Sequence, residues 1–146
     1  MNNHSIQYGQ LSVDELLHIF YQTQSDFPSL KDETTMKERA QKLASNADFI
    51  ICRNEKNEVI AYIAAYMNQP PLCYITQVSV FPAYKHQGIS QKMLAYLENK
   101  MKTLHCSLMK LEVRTENTIA IKAYTKYGFK IIESNSNNSY IMEKRI

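Results

Sequence analysis

The chain of 146 residues has no tryptophan, three glycines, four prolines and three isolated cysteines. Cys52, Cys73 and Cys106 are odd in number and widely spaced, which argues against a disulfide framework and offers no zinc-ligand spacing. They read as free thiols packed in a core, and no metal is expected. No apolar run approaches the length that crosses a bilayer, and Met1-Asn2-Asn3-His4-Ser5 lacks the basic-then-apolar pattern of an export signal. A cytoplasmic location without a membrane partner is the expectation. Excess charge is also lacking: 17 Lys and Arg against 14 Asp and Glu leave a net charge of +3, spread along the chain. A dedicated nucleic-acid binder would carry a clustered basic face, so no nucleic-acid partner is expected. Repeats, linkers and low-complexity tracts are absent, and the length suits a single domain over residues 1–146.

What the chain does have is regular periodicity. Ser12 with Glu15 makes a capping box, and Val13, Leu16, Leu17 and Phe20 follow at helical spacing, which predicts a helix from 12 to about 24. A short strand over Ile6–Tyr8 precedes it, and Asp26-Phe27-Pro28-Ser29 ends it. Thr35 with Glu38 reads as a second capping box, leading Met36, Ala40, Leu43 and Ala44 along one helical face to about Asn46. Phe49–Cys52 and Val59–Met67 read as strands joined by the polar turn Asn54-Glu55-Lys56-Asn57. Pro70-Pro71 forbids helix in the next connection, and Tyr74–Val80 is a third strand, rich in β-branched and aromatic residues.

From Gly88 onward Ile89, Met93, Leu94, Leu97 and Met101 form one helical stripe. Leu108–Arg114 is a strand, Asn117 a helix cap, Ala120, Ala123, Tyr124 and Tyr127 a buried helix face, and Gly128 a left-handed helix end. Phe129–Glu133 and Tyr140–Glu143 close as a hairpin across the turn from Ser134 to Ser139. The order β-α-α-β-β-β-α-β-α-β-β predicts an α/β fold, a mixed and mostly antiparallel twisted sheet flanked by helices, with one parallel crossover. An exposed sheet edge at the C-terminal hairpin leaves room for a homodimer.

The organising stretch is Gln77 to Ser90, a strand that stops at Pro82, a short basic loop, and a helix that opens near Gly88. Such a loop aims backbone N–H groups at one point, at the positive end of a helix dipole, with Lys85 and His86 beside them. That is an anion site suited to a phosphate.

Two separated motifs now resemble one family. Lys85-His86-Gln87-Gly88-Ile89-Ser90 resembles the acyl-CoA pyrophosphate loop of the GNAT N-acetyltransferase superfamily, with Lys85 where Gln or Arg is usual and Ser90 where Gly or Ala is usual. Val113 to Phe129 resembles that family's second signature, through Asn117, Ala120-Ile121, Tyr124 and Gly128-Phe129. The resemblance covers nearly the whole chain and implies the GNAT, or acyl-CoA N-acyltransferase, fold with acetyl-CoA as co-substrate. It implies that backbone N–H groups of His86, Gln87, Gly88, Ile89 and Ser90, with the Lys85 cation, hold the pyrophosphate. Gly88 would also spare room for its close approach. By the same resemblance the main chain of Val78, Ser79 and Val80 holds the pantetheine arm like an added strand, Asn117 contacts the cofactor, and Tyr124 is the general acid for the departing thiolate. On periodicity alone Tyr124 is a core aromatic, Asn117 a cap, the Val78 and Val80 side chains core, and Lys126, a candidate for the adenosine phosphates, a surface lysine.

Several members of the family carry a carboxylate on the fourth strand, where this chain has Thr76 and Gln77. The base is then Glu112, His86, a water held by Thr76 and backbone carbonyls, or nothing if the amine arrives neutral; the water route is the expectation. No cysteine lies in a motif for an acyl-enzyme nucleophile, which favours direct transfer in a ternary complex. Compactness suggests a small-molecule amine as acceptor, with Tyr21, Phe27, Tyr66, Tyr74 and Tyr140 as candidate pocket residues. Two alternatives stand beside this reading: acetylation of a protein N-terminus or lysine, and a non-catalytic acyl-CoA-binding module.

Overall fold

The computed structural model describes residues 4–23 and 32–146. Its elements are β1 (Ser5–Gly9), α1 (Val13–Gln22), α2 (Glu33–Asn46), β2 (Asp48–Arg53), β3 (Val59–Gln69), β4 (Leu72–Val80), α3 (Ile89–Thr103), β5 (Leu108–Arg114), α4 (Thr118–Tyr127), β6 (Lys130–Asn135) and β7 (Ser139–Arg145). This is the order read from periodicity. The strands form a seven-stranded sheet in the order β1-β2-β3-β4-β5-β7-β6. β4 and β5 pair in parallel from Leu72↔Leu108 to Ile75↔Leu111, which is the expected crossover. β1 with β2, β5 with β7, and β6 with β7 pair antiparallel. Two compact units are distinguishable, Met1–Ala64 with Gln77–Leu97, and Ala65–Thr76 with Glu98–Ile146.

In the first unit the capping box at Ser12 forms as predicted. Its hydroxyl accepts from the Glu15 amide at 3.1 Å and the Glu15 carboxylate accepts from the Ser12 amide at 3.0 Å. α1 then buries Leu16, Ile19 and Phe20. α2 starts earlier than the second box implied. Asp32 is its cap, accepting from the Thr35 amide at 2.7 Å and the Thr35 hydroxyl at 2.9 Å. A carboxylate both accepts these bonds and complements the positive helix end, so it displaces threonine from the cap. Asp26 to Ser29, including Phe27, lies outside the described residues. Of the α3 stripe, Ile89, Met93, Leu94 and Leu97 are all buried here.

In the second unit Pro70 and Pro71, joined by a cis peptide, are the whole turn between β3 and β4. β4 therefore begins at Leu72, two residues before the predicted start. Met109, Leu111 and Val113 alternate inward along β5, facing Met142 of β7 in the core. On the alternate positions Glu143 stands opposite both Lys110 and Lys130, so charge alternates across β5, β7 and β6. β6 is the sheet edge, with Ile131 and Ile132 exposed and a register shift between Ile131 and Glu133. α4 buries no residue completely; its predicted inner face of Ala120, Ala123, Tyr124 and Tyr127 is half-buried. The three cysteines are buried thiols. Among the described residues no helix is long and apolar enough to cross a membrane.

Candidate active site

The loop after β4 is fastened to its own unit before α3 begins. Phe81 donates its amide to the Ile60 carbonyl at 2.9 Å, and Pro82–Tyr84 makes a single 3-10 turn closed by the Tyr84 amide on the Phe81 carbonyl at 2.8 Å. The Tyr84 ring meets His4 edge-on at 5.6 Å, and its hydroxyl accepts from Asn54 Nδ2 at 3.3 Å. Beyond this anchor Lys85, His86, Gln87 and Gly88 are exposed. His86 and Gly88, two residues apart, are both left-handed, at φ 66° and 76°. α3 opens on Gly88, whose carbonyl accepts from the Lys92 amide at 3.2 Å. The amides of Ile89 and Ser90 thus fall in the first turn, where a helix leaves its N–H groups without intrahelical acceptors and its dipole is positive. Buried Ile89 pins this turn to the core.

These residues fit a pyrophosphate-bearing ligand. Two left-handed residues curl the backbone, helix amides follow at once, and Lys85 and Lys92 add positive charge. A Cβ at Gly88 would meet no protein atom within 4 Å, so the protein's own demand for glycine comes from the backbone angle. A cleft of about 90 Å³ adjoins the loop, lined by His4, Ile6, Cys52, Gln87, Ile89 and Lys92. Burial pushes the Cys52 thiol up, with the Lys92 ammonium opposing, so this sulfur is a protonated thiol and a poor nucleophile.

β4 departs from expectation in its parity. Gln77 and Ser79 are the buried side chains, while Thr76, Val78 and Val80 are half-buried on the alternate positions. The valines therefore do not furnish the inner core of this strand, as their side chains alone suggested. The reason is a partner fifteen residues away: the Tyr62 hydroxyl donates to Gln77 Oε1 at 2.6 Å. Burial raises the Tyr62 phenol, with the Arg39 charge opposing, so it keeps its proton and can donate. The Ser79 hydroxyl is buried without a hydrogen-bond partner.

In the second unit Tyr124 is half-buried on α4 and packs edge-to-face on Phe129 at 5.6 Å. Burial pushes its phenol up to about 12. Asn117 caps α4, its side-chain oxygen accepting from the Ala120 amide at 3.2 Å. Lys126 is exposed. Glu112 accepts from the Ser139 hydroxyl and from Asn135 Nδ2, the latter at 2.7 Å, and these bonds hold its carboxyl below the ordinary value. A carboxylate so stabilised is a weak base. Of the candidate acceptor residues, Tyr66, Tyr74 and Tyr140 are half-buried in this unit, with the Tyr66 hydroxyl buried and unpartnered; Tyr21, in the first unit, is 53% exposed. Among the described residues no three His, Cys, Asp or Glu side chains could hold a metal ion.

The anchoring of the loop through Tyr84, the Tyr62–Gln77 bond and a contact of Glu98 with Lys144 were not foreseen. The last joins residues 46 apart, and no local sequence pattern marks such pairs.

Known proteins resemble this chain in sequence and in fold. The profile of the acetyltransferase (GNAT) family matches residues 14–129. The ribosomal protein bS18-alanine N-acetyltransferase of Haemophilus ducreyi is 40% identical over 60 residues, 41% of this chain and 41% of that protein. N-alpha-acetyltransferase 20 of Dictyostelium discoideum is 32% identical over 59 residues, 40% of this chain and 34% of that one. The matched stretches thus span less than half of either relative. The crystal structure of PaiA N-acetyltransferase from Thermoplasma acidophilum in complex with coenzyme A has a TM-score of 0.75 over 97% of this chain and 99% of that chain, at 19% identity, a likeness of fold.

Proposed function

Because the chain belongs to the GNAT acetyltransferase family, we propose that it acetylates the α-amino group at the N-terminus of a peptide chain, by direct transfer from acetyl-CoA. The observation that carries the acceptor class is that neither the fourth strand nor Glu112 offers a ready carboxylate base. Thr76 and Gln77 stand where a carboxylate is usual, Gln77 is engaged by Tyr62, and Glu112 is held below its ordinary pKa. Without a carboxylate base, the amine must arrive with a substantial neutral fraction. An α-amine with a pKa of about 7.8 is about one-third neutral at pH 7.5, whereas a lysine ε-amine at about 10.4 is neutral about once in a thousand. The two relatives, one named for alanine and one for α-amino acetylation, support the same class. A small-molecule amine, the acceptor suggested by the chain's compactness, has to meet the same requirement of low basicity.

In this reading the amides of His86, Gln87, Gly88, Ile89 and Ser90, with Lys85, hold the pyrophosphate, and the main chain of Val78, Ser79 and Val80 holds the pantetheine arm. Asn117 contacts the cofactor through its Nδ2, since its Oδ1 is committed to the helix cap. Bound acetyl-CoA supplies the thioester carbon and the thiol leaving group. Tyr124, whose phenol stays protonated to about pH 12, gives a proton to the departing sulfur. Water held by Thr76 and backbone carbonyls receives the proton from the amine.

The test measures thiol release from acetyl-CoA against three acceptor sets: peptides with free Ala, Ser or Met N-termini, the same peptides N-terminally blocked with an internal lysine, and small amines such as spermidine and glucosamine. Free α-amines should be turned over at least tenfold faster than lysine. Equal or faster turnover of lysine or spermidine overturns the acceptor class. Acetyl-CoA binding without release in any arm overturns catalysis.

A further inference from the structure

The last turn of α4 is fastened at one carboxylate. Glu98, on α3, accepts from the Tyr127 hydroxyl through Oε2 at 2.5 Å and from the Lys144 ammonium through Oε1 at 2.5 Å. Lys144 Nζ also lies 4.7 Å from the centre of the Tyr127 ring, which closes the three side chains into a triangle. All three are half-buried. Burial opposes the charge of Glu98, but the hydrogen bonds from Lys144 and Tyr127 outweigh it and hold the carboxyl below its ordinary value. Each carboxylate oxygen has a donor, the condition under which a partly desolvated ion pair is worth keeping.

The triangle grips the same turn that carries Tyr124. Tyr127 is three residues beyond it, one helical turn along α4. Buried Phe129 touches both rings, at 5.6 Å to Tyr124 and 6.3 Å to Tyr127, and donates its amide to the Tyr124 carbonyl at 2.9 Å. The stem of Lys144 lies along the helix end, where a Cβ on Gly128 would stand 2.9 Å from its Cε. Ring, carbonyl and helix end are thus all referenced to the group that Glu98 holds. Solubility or surface charge alone would not require a carboxylate at this junction, bonded on both oxygens.

We infer that Glu98, acting through Tyr127 and Lys144, is a positioning residue for Tyr124, fixing where its phenol points without touching either substrate. The inference rests on Tyr124 being the proton donor. Proton transfer is sensitive to placement, and a displacement of about 1 Å costs about a hundredfold in rate.

The experiment compares Glu98→Ala, Glu98→Gln, Tyr127→Phe and Tyr124→Phe, and combines Glu98→Ala and Tyr127→Phe each with Tyr124→Phe. It reads kcat, the KM for acetyl-CoA and the folded fraction at the assay temperature. Glu98→Ala should lower kcat tenfold or more with KM within twofold, Tyr127→Phe should lower it severalfold, and Glu98→Gln should recover part of the loss by keeping a bond to Tyr127. In the Tyr124→Phe background both substitutions should have almost no further effect on kcat. If Tyr124→Phe slows turnover but the others add to it in full, or act only through the folded fraction, the positioning inference is overturned and Tyr124 stands. If Tyr124→Phe leaves turnover unchanged, both are overturned. Tyr127→Phe, which removes only a hydroxyl, keeps the test decisive if Glu98→Ala does not fold.

Discussion

The Tyr62 hydroxyl and the Gln77 side-chain oxygen, 2.6 Å apart, form a buried polar pair between β3 and the half of β4 that leads into the loop. Tyr62→Phe would leave the Gln77 oxygen buried without its donor, at a cost of about 1–3 kcal/mol. Urea unfolding should report that loss. Tyr62→Phe combined with Gln77→Leu should cost less than the two single changes summed, since both polar groups are then gone. An unchanged midpoint for Tyr62→Phe would show that the pair contributes nothing.

Stability should decline at both ends of the pH scale. Tyr8, through its bond to Asp48, and Tyr124, through burial, have phenols raised to about 12, and Tyr62 and Tyr127 are also raised, chiefly by burial. The unfolded chain holds these protons with an ordinary pKa of about 10, so their contribution is full below pH 10 and is lost as pH climbs through the folded values. Glu98 and Glu112 are lowered, so theirs is present above the ordinary carboxyl value and fades as pH falls through the folded one. A denaturation midpoint that stays flat from pH 10 to pH 12 would contradict the alkaline half.

Glu112→Gln should retain kcat/KM within about tenfold, because the carboxylate is occupied by Ser139 and Asn135 and is a weak base. Steady-state kinetics on the best acceptor decides. A loss beyond about a hundredfold would make Glu112 the base and remove the water route.

Gly88→Ala and Gly128→Ala separate two reasons for glycine. Both positions are left-handed, which costs an L-residue about 1–2 kcal/mol. At Gly88 the new methyl meets nothing within 4 Å, whereas at Gly128 it meets Lys144 Cε at 2.9 Å. Gly128→Ala should therefore be the more destabilising, by chemical denaturation, since Lys144 must move off Glu98 to admit it. Equal costs would mean that Lys144 yields freely.

The sequence disclosed what depends on near neighbours. Ser12 and Glu15 are three residues apart and cap as read, and Gly128 ends α4 as read. At the start of α2 the box read at Thr35 gave way to Asp32, whose charge complements the positive helix end. Along β4 the run of β-branched residues concealed which positions turn inward, because the answer lay with Tyr62 on another strand. His86 gave no hint of its left-handed backbone, although Gly88 beside it did. The cap at Asn117 was legible from its place before α4, and the Glu98 contacts that hold α4 were not, since they join α3 to α4 and β7.

Tyr84 restrains the loop from three directions: the His4 ring, the Asn54 amide and the Phe81 carbonyl. Its backbone is consequently ordered by folding itself, and little conformational freedom is left to lose when an anion docks. If the loop holds the donor's phosphates as proposed, its affinity is set by how well it competes with water and salt for them, and ionic strength, more than temperature, should be the lever on donor binding.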